Sequence, residues 1–239
     1  MTTTGGARAR LLAGSKIRAE HDSDPNRAEQ PLCVDGRPAN LDSCTAPTAT
    51  IRHALRAFAS ENGPGEGLNR VRLLRPLIAR VRETLRKRFE SGGSAEAYLR
   101  ARLADSVVIG LLHVVSISSE IRDGSMVAPL AAVAVGGYGR RELAPGSNLD
   151  LLFLLPESSS SFTGAVAPAT RACIGTVVAC LWDLGFAPDH ATRSVQECLE
   201  LAKDDPAVLA GLVDRRYLWG GQGLFNTLDA ELRALSVSP

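Results

Sequence analysis

Val133-Ala-Val-Gly-Gly-Tyr-Gly-Arg-Arg-Glu-Leu-Ala-Pro-Gly-Ser-Asn-Leu-Asp-Leu-Leu-Phe-Leu-Leu155 decides the reading of this chain. It reads as an apolar strand, a glycine-rich turn and a second apolar strand with polar groups at its start. Residues two apart on a strand share a face, so Asn148 and Asp150 are expected to project together while Leu149 and Leu151 turn the other way. Gly136, Gly137 and Gly139 carry no β-carbon, so the backbone there is free to take positive φ and to come within hydrogen-bonding distance of a phosphate. A carboxylate and an amide beside such a turn outline a nucleotide and metal site.

The spacing is similar to that of nucleotidyltransferases of the polymerase-β superfamily: an apolar residue, a glycine pair, about ten residues, then alternating acid and apolar positions opening a strand. The string Gly-Gly-Tyr-Gly-Arg-x-Glu-Leu-x-Pro-x-Ser-x-x-Asp-Leu-Leu over residues 136–152 most closely resembles the amino-terminal domain of bacterial PII uridylyltransferase/uridylyl-removing enzymes. Further likeness lies in residues 86–96, 181–185, 190–199 and 205–221, so the resemblance covers residues 71–235. It implies attack by a hydroxyl on the α-phosphorus of UTP, with pyrophosphate leaving and a tyrosine of the PII signalling protein as acceptor. Mg2+ is the implied cofactor, two ions neutralising phosphate charge and activating the attacking oxygen.

Asp150 is the foremost metal ligand on that reading, and Asn148 stands where the family has a second acid. An asparagine carbonyl can meet a hard cation, but it brings no charge and cannot bridge two ions. Two readings therefore stay open: an enzyme that transfers a nucleotidyl group, or a degenerate nucleotidyltransferase fold that binds or regulates without turnover. Another subclass with a different acceptor is a third. Ser147 and the amides of Gly136 and Gly137 are expected to bind the triphosphate, although the Ser147 hydroxyl also suits a turn. Arg193 and Arg140 each offer a planar fork to phosphate or to a structural salt bridge. For a third acid the chain offers Asp189, placed just before a short strand, and Asp205, which has the look of a helix cap. Tyr138 and Glu142 are read as packing or hydrogen-bonding parts of the turn. Arg141 occupies a position that is glycine in the family, either narrowing the turn's freedom or pointing to solvent.

The rest of the composition is that of an ordinary globular protein: 239 residues, 45% hydrophobic and 22% charged, with a net charge of +1. That balance gives no reason to expect nucleic acid or a membrane as partner, and aromatic residues are too sparse for a base-stacking platform. No apolar run reaches membrane-span length and no secretory signal is recognised, so a cytoplasmic location is expected. Five scattered cysteines suggest free thiols, with Cys173 and Cys180 sharing a buried helix face. The resembling enzymes continue into uridylyl-removing and ligand-sensing domains, for which this chain is expected to lack the length.

The fold expected is α+β: a small mixed β-sheet nucleotidyltransferase core with flanking helices over residues 126–239, a helical lead-in over 49–125 and a flexible, disordered tail over 1–48. His21-Asp22 in that tail superficially suits a metal but has no companion histidines. Helices are predicted at 51–60, 76–90, 95–118, 166–184 and 224–235, and strands at 131–135, 149–155 and 190–194. Ser194-Val-Gln-Glu197 is a capping box, and Asp205-Pro206 opens a helix that Gly220-Gly221 is expected to close. Arg80, Arg82, Arg86, Lys87 and Arg88 cover one side of the 76–90 helix, either as a patch for a nucleotide or acidic partner or as a solvated face. His113 is read as a packed or half-exposed helical histidine.

Overall fold

The computed structural model describes residues 33–34, 37–38, 42–60, 66–90, 95–123, 129–159 and 166–237. Cys33–Val34 (β1) pairs antiparallel with Arg37–Pro38 (β2). Four helices follow: α1 (Asp42–Ser60), α2 (Glu66–Val71), α3 (Arg75–Glu90) and α4 (Ala95–Asp123). The helix expected at 51–60 thus starts earlier, at Asp42. Most of the expected tail, His21-Asp22 included, lies outside the described residues.

Next come β3 (Ala131–Ala134), the short α5 (Gly136–Gly139), β4 (Leu149–Leu155), α6 (Pro168–Asp183), β5 (Pro188–Ser194), α7 (Val195–Asp204), α8 (Pro206–Val213), β6 (Arg216–Gly220) and α9 (Gln222–Val237). The four-stranded sheet has the order β5-β4-β3-β6. β4 runs parallel to β5, while β3 is antiparallel to both β4 and β6, which makes the sheet mixed and the fold α+β as predicted.

β4 is central and buried on both faces, which is why its sequence is apolar without alternation. Leu149, Leu151, Phe153 and Leu155 face the larger core, built with Ile78, Leu85, Leu103, Leu111 and Leu181 from the helices of the lead-in and α6. Leu152 and Leu154 face a smaller core with Val195, Cys198, Leu212, Leu228 and Leu232. Each buried leucine contributes about 1.5–3 kcal/mol. The lead-in helices and the sheet therefore share one core.

The helix expected to run from Pro206 to Gly220 ends instead at Val213, and the second half of that segment is the edge strand β6. Arg216-Tyr-Leu-Trp is the β-prone part, and it gains a full partner in β3, which outweighs helix continuation. Gly220-Gly221 closes that strand. Asp205 does cap α8, its Oδ1 accepting from the Ala207 amide at 2.8 Å. The Ser194 capping box is formed, with the Glu197 amide donating to Ser194 Oγ at 3.2 Å and the Ser194 amide to Glu197 Oε2 at 2.6 Å. α6 stops at Gly185, φ +84°. Cys173 is buried and Cys180 only half so. His113 packs edge-on against Trp219, whose Nε1 donates to His113 Nδ1 at 3.3 Å. Among the described residues no helix is long and apolar enough to cross a membrane.

Candidate active site

The glycine turn begins where β3 ends. Val135 is extended, its amide donates to the Asp150 carbonyl at 3.0 Å, and Gly136 then turns to φ +56°. A β-carbon on Gly136 would lie 3.1 Å from Asp150 Oδ2, so the carboxylate packs directly against this backbone. At Gly139 the approach is closer still, since a β-carbon would fall 1.6 Å from the Asp214 carbonyl oxygen. Glycine is required at both places for different reasons: one for its φ, the other for the space.

A partly buried ion pair holds the turn from behind. Arg216 on β6 donates twice to Asp105 of α4, at 3.0 Å each, and also to the carbonyls of Gly139 and Tyr138, at 3.1 Å each. The guanidinium lies 5.4 Å from the Tyr138 ring centroid. The Gly139 carbonyl at the end of α5, and the Tyr138 carbonyl that also accepts from the Arg141 amide at 3.1 Å, are thus met by a charge-assisted donor. Neither Asp105 nor Arg216 is singled out by sequence reasoning. A signal exists only in the acid sitting among Leu103, Ala104 and Val107 on an otherwise apolar helix face. Tyr138 is fully buried, and that burial, followed by the neighbouring Asp105, pushes its phenol well above the ordinary range. It packs, as predicted for the turn.

Arg140 takes the salt-bridge alternative, donating to Glu142 Oε2 at 2.8 Å and to Asp214. Arg141 does not point to solvent. It holds φ +63°, its guanidinium lies 5.5 Å from the Tyr98 ring centroid, and its Nε is buried without a hydrogen-bond partner. An arginine here occupies a left-handed conformation that glycine adopts without strain, which accounts for the glycine of the family pattern.

Asp150 is half-buried on the second residue of β4 and sits in parallel register with Asp189 on β5. Asp189 lies inside the strand rather than before it, because β5 starts at Pro188. Side-by-side residues of a parallel pair project to the same face, so the two carboxylates are neighbours. Burial first, and then the charge of Asp189, raise the Asp150 carboxyl above its ordinary value. Ser147 and Asn148 lie exposed in the turn leading into β4, the Ser147 amide donating to the Ala144 carbonyl at 3.1 Å.

The structure thus brings together Gly136, Asp150 and Asp189. It leaves Ser147 and Asn148 on the exposed approach. Arg193 is paired with Leu154, four residues along β5 from Asp189, so about 13 Å of strand separates them. Asp205 is occupied as a helix cap, away from β4. Among the described residues no group of three or more histidine, cysteine, aspartate or glutamate side chains is arranged to hold a metal. The Asp150–Asp189 pair supplies hard oxygen donors, whose mutual repulsion a divalent cation would relieve, and in that respect it fits magnesium.

A glycine turn clamped against a strand-borne carboxylate, on a small mixed sheet, defines a nucleotidyltransferase-like domain. No protein-family model matches the chain. Among curated proteins it is 38% identical to the bifunctional uridylyltransferase/uridylyl-removing enzyme of Azospirillum brasilense, over 73% of this chain and 18% of that enzyme. It is 34% identical to the enzyme of the same name from Novosphingobium aromaticivorans, over 75% of this chain and 19% of that enzyme. The chain belongs to this family and corresponds to its amino-terminal nucleotidyltransferase domain. It spans less than a fifth of the length of these curated relatives.

Proposed function

We propose that this chain transfers UMP from UTP to a tyrosine of a PII signalling protein, with release of pyrophosphate. The observation that carries the reading is the Asp150 carboxylate seated on Gly136 with Asp189 beside it. In the reaction the tyrosine oxygen bonds to the α-phosphorus, the bond to the pyrophosphate oxygen breaks, and the phenolic proton passes to solvent. Asp150 and Asp189 would hold Mg2+, with the Asn148 carbonyl on the approach. The bound ion supplies charge neutralisation on the phosphates. The amides of Gly136 and Gly137 and the Ser147 hydroxyl orient the triphosphate. Support of the turn at Tyr138 and Gly139 by the Arg216–Asp105 pair helps keep Asp150 in position.

The neutral Asn148 favours a second reading, in which the domain retains nucleotide binding without turnover. Label transfer from α-labelled UTP to purified PII protein with magnesium separates the two. Labelling by the native chain that falls by at least about 100-fold in Asp150→Ala supports the transferase. Labelling seen only after Asn148→Asp supports the second reading.

A further inference from the structure

On the helix side of residues 143–148, Arg82 of α3 and Arg100 of α4 line a cavity of about 260 Å³, with Glu83, Arg86, Pro145 and Gly146. A smaller recess with the same two arginines continues to Ser147, Leu149 and Phe186. Among the described residues neither Arg82 nor Arg100 pairs with a carboxylate. Arg82 donates to the Gly185 carbonyl and lies 4.9 Å from the Phe186 ring centroid, while Arg100 donates from Nε to the Leu143 carbonyl at 3.1 Å. Each guanidinium carries five N–H donors, so most of these meet no protein acceptor.

The two cations also feel each other. Burial lowers the pKa of both, and the charge of Arg82 lowers that of Arg100 further. Glu83, the acid on the cavity wall, gives no relief, because Arg86 and then Lys87 already engage it and hold its carboxyl down at about 2. Two half-buried like charges with spare donors are stabilised by an anion shared between them.

We propose that this cavity binds a phosphate-type oxyanion through Arg82 and Arg100, with Gly146 and Ser147 at its edge. About 10–15 Å³ of such space holds one water, so a cavity of about 260 Å³ admits a polyatomic anion. It lies apart from Asp150, for Leu149 on the opposite face of β4 lines the recess. The inference needs only the two cations and does not rest on the transfer reading. The phosphates belong either to the tail of the nucleotide, passing around Ser147, or to a free anion that binds independently.

Calorimetric titration of the chain with inorganic pyrophosphate in magnesium-free buffer tests it. Binding is expected in the native protein and in Asp150→Asn, and at least tenfold weaker in Arg82→Gln and Arg100→Gln. Since Arg82→Gln also removes an anchor on Gly185, the Nε–H resonances of both arginines are followed in the native protein and are expected to shift together. No binding, or binding equally tight in both arginine variants with both resonances unmoved, overturns the proposal. UTP that displaces pyrophosphate assigns the pocket to the nucleotide tail, and simultaneous binding assigns it to a separate anion; both outcomes support an oxyanion site. Neither depends on label reaching PII protein, so failure of the transferase reading stays distinguishable.

Discussion

Two consecutive pieces of backbone, residues 136–142 and 143–148, are held in opposite ways. The glycine turn is gripped by a partly buried ion pair that reaches two of its carbonyls, and by the close passage of Asp214 behind Gly139. The loop after it has one side-chain anchor, Arg100 on the Leu143 carbonyl, and leaves Gly146, Ser147 and Asn148 exposed. The charge differs too. On the turn side two carboxylates lie together, and on the loop side two guanidiniums do. The contrast teaches a division of labour: the backbone that fixes Asp150 is over-determined, whereas the residues placed to meet a ligand are free to adapt.

The largest blow to that contrast is Arg216→Met. It leaves the partly buried Asp105 without its partner and removes the donor from the Tyr138 and Gly139 carbonyls, so unfolding in denaturant should show a loss of about 2–3 kcal/mol. Adding Asp105→Leu should recover part of the loss, because no unpaired charge then remains. A double variant no more stable than Arg216→Met would show that the turn does not depend on this pair. Arg100→Met, by the same measurement, should cost only about 1 kcal/mol, the scale of one hydrogen bond.

Gly136→Ala probes the rigid side more gently. The left-handed φ costs a β-carbon about 1–2 kcal/mol, and the new methyl would press on the Asp150 carboxylate, 3.1 Å away. Transfer activity should therefore fall more than stability does. Gly146→Ala supplies the control, since Gly146 also has positive φ, +85°, but nothing within 4 Å of an added β-carbon. It should lose similar stability, and its activity should fall less than that of Gly136→Ala, because no methyl presses on Asp150. Equal activity losses at the two glycines would mean that strain, not displacement of Asp150, is what matters.

How much of this was legible in the chain depends on the range over which each signal acts. The string over residues 136–152 carries its turn chemistry locally, so the strands, the turn and Asp150 can be read in place. The Arg216–Asp105 clamp joins residues 111 positions apart and leaves no local trace. β6 is hidden because only Asp214-Arg215 separate it from the apolar run of α8 and the Gly220-Gly221 stop suits a helix or a strand equally. Asp189 was placed just outside its strand because Pro188 and the polar Asp189-His190 weaken the β signal, although an edge strand tolerates both. The arginines of α3 read as a single stripe. Tertiary packing splits them, turning Arg82 toward Gly185 and Phe186 while Arg86 pairs with Glu83 and Glu90.

The smallest expected effect is the sharpest test of the acidic side. Asp150 has a carboxyl raised above its ordinary 3.8, by burial first and by Asp189 second. A carboxylate whose folded pKa is raised weakens the fold as pH climbs through that value, and has no such effect below the unfolded one. Asp189→Asn removes one of the two causes. The variant should therefore be more stable than the native chain at neutral pH, by only about 0.5 kcal/mol because solvent screens a half-exposed pair. Below the ordinary value of 3.8 the gain should vanish. Transfer should move the other way, its rate falling as the magnesium site loses a charge, while its acid limb shifts to lower pH with the Asp150 carboxyl. Urea unfolding at both pH values decides the electrostatic part: lower stability at neutral pH would mean that the two acids do not repel and that Asp189 supports the fold rather than the site.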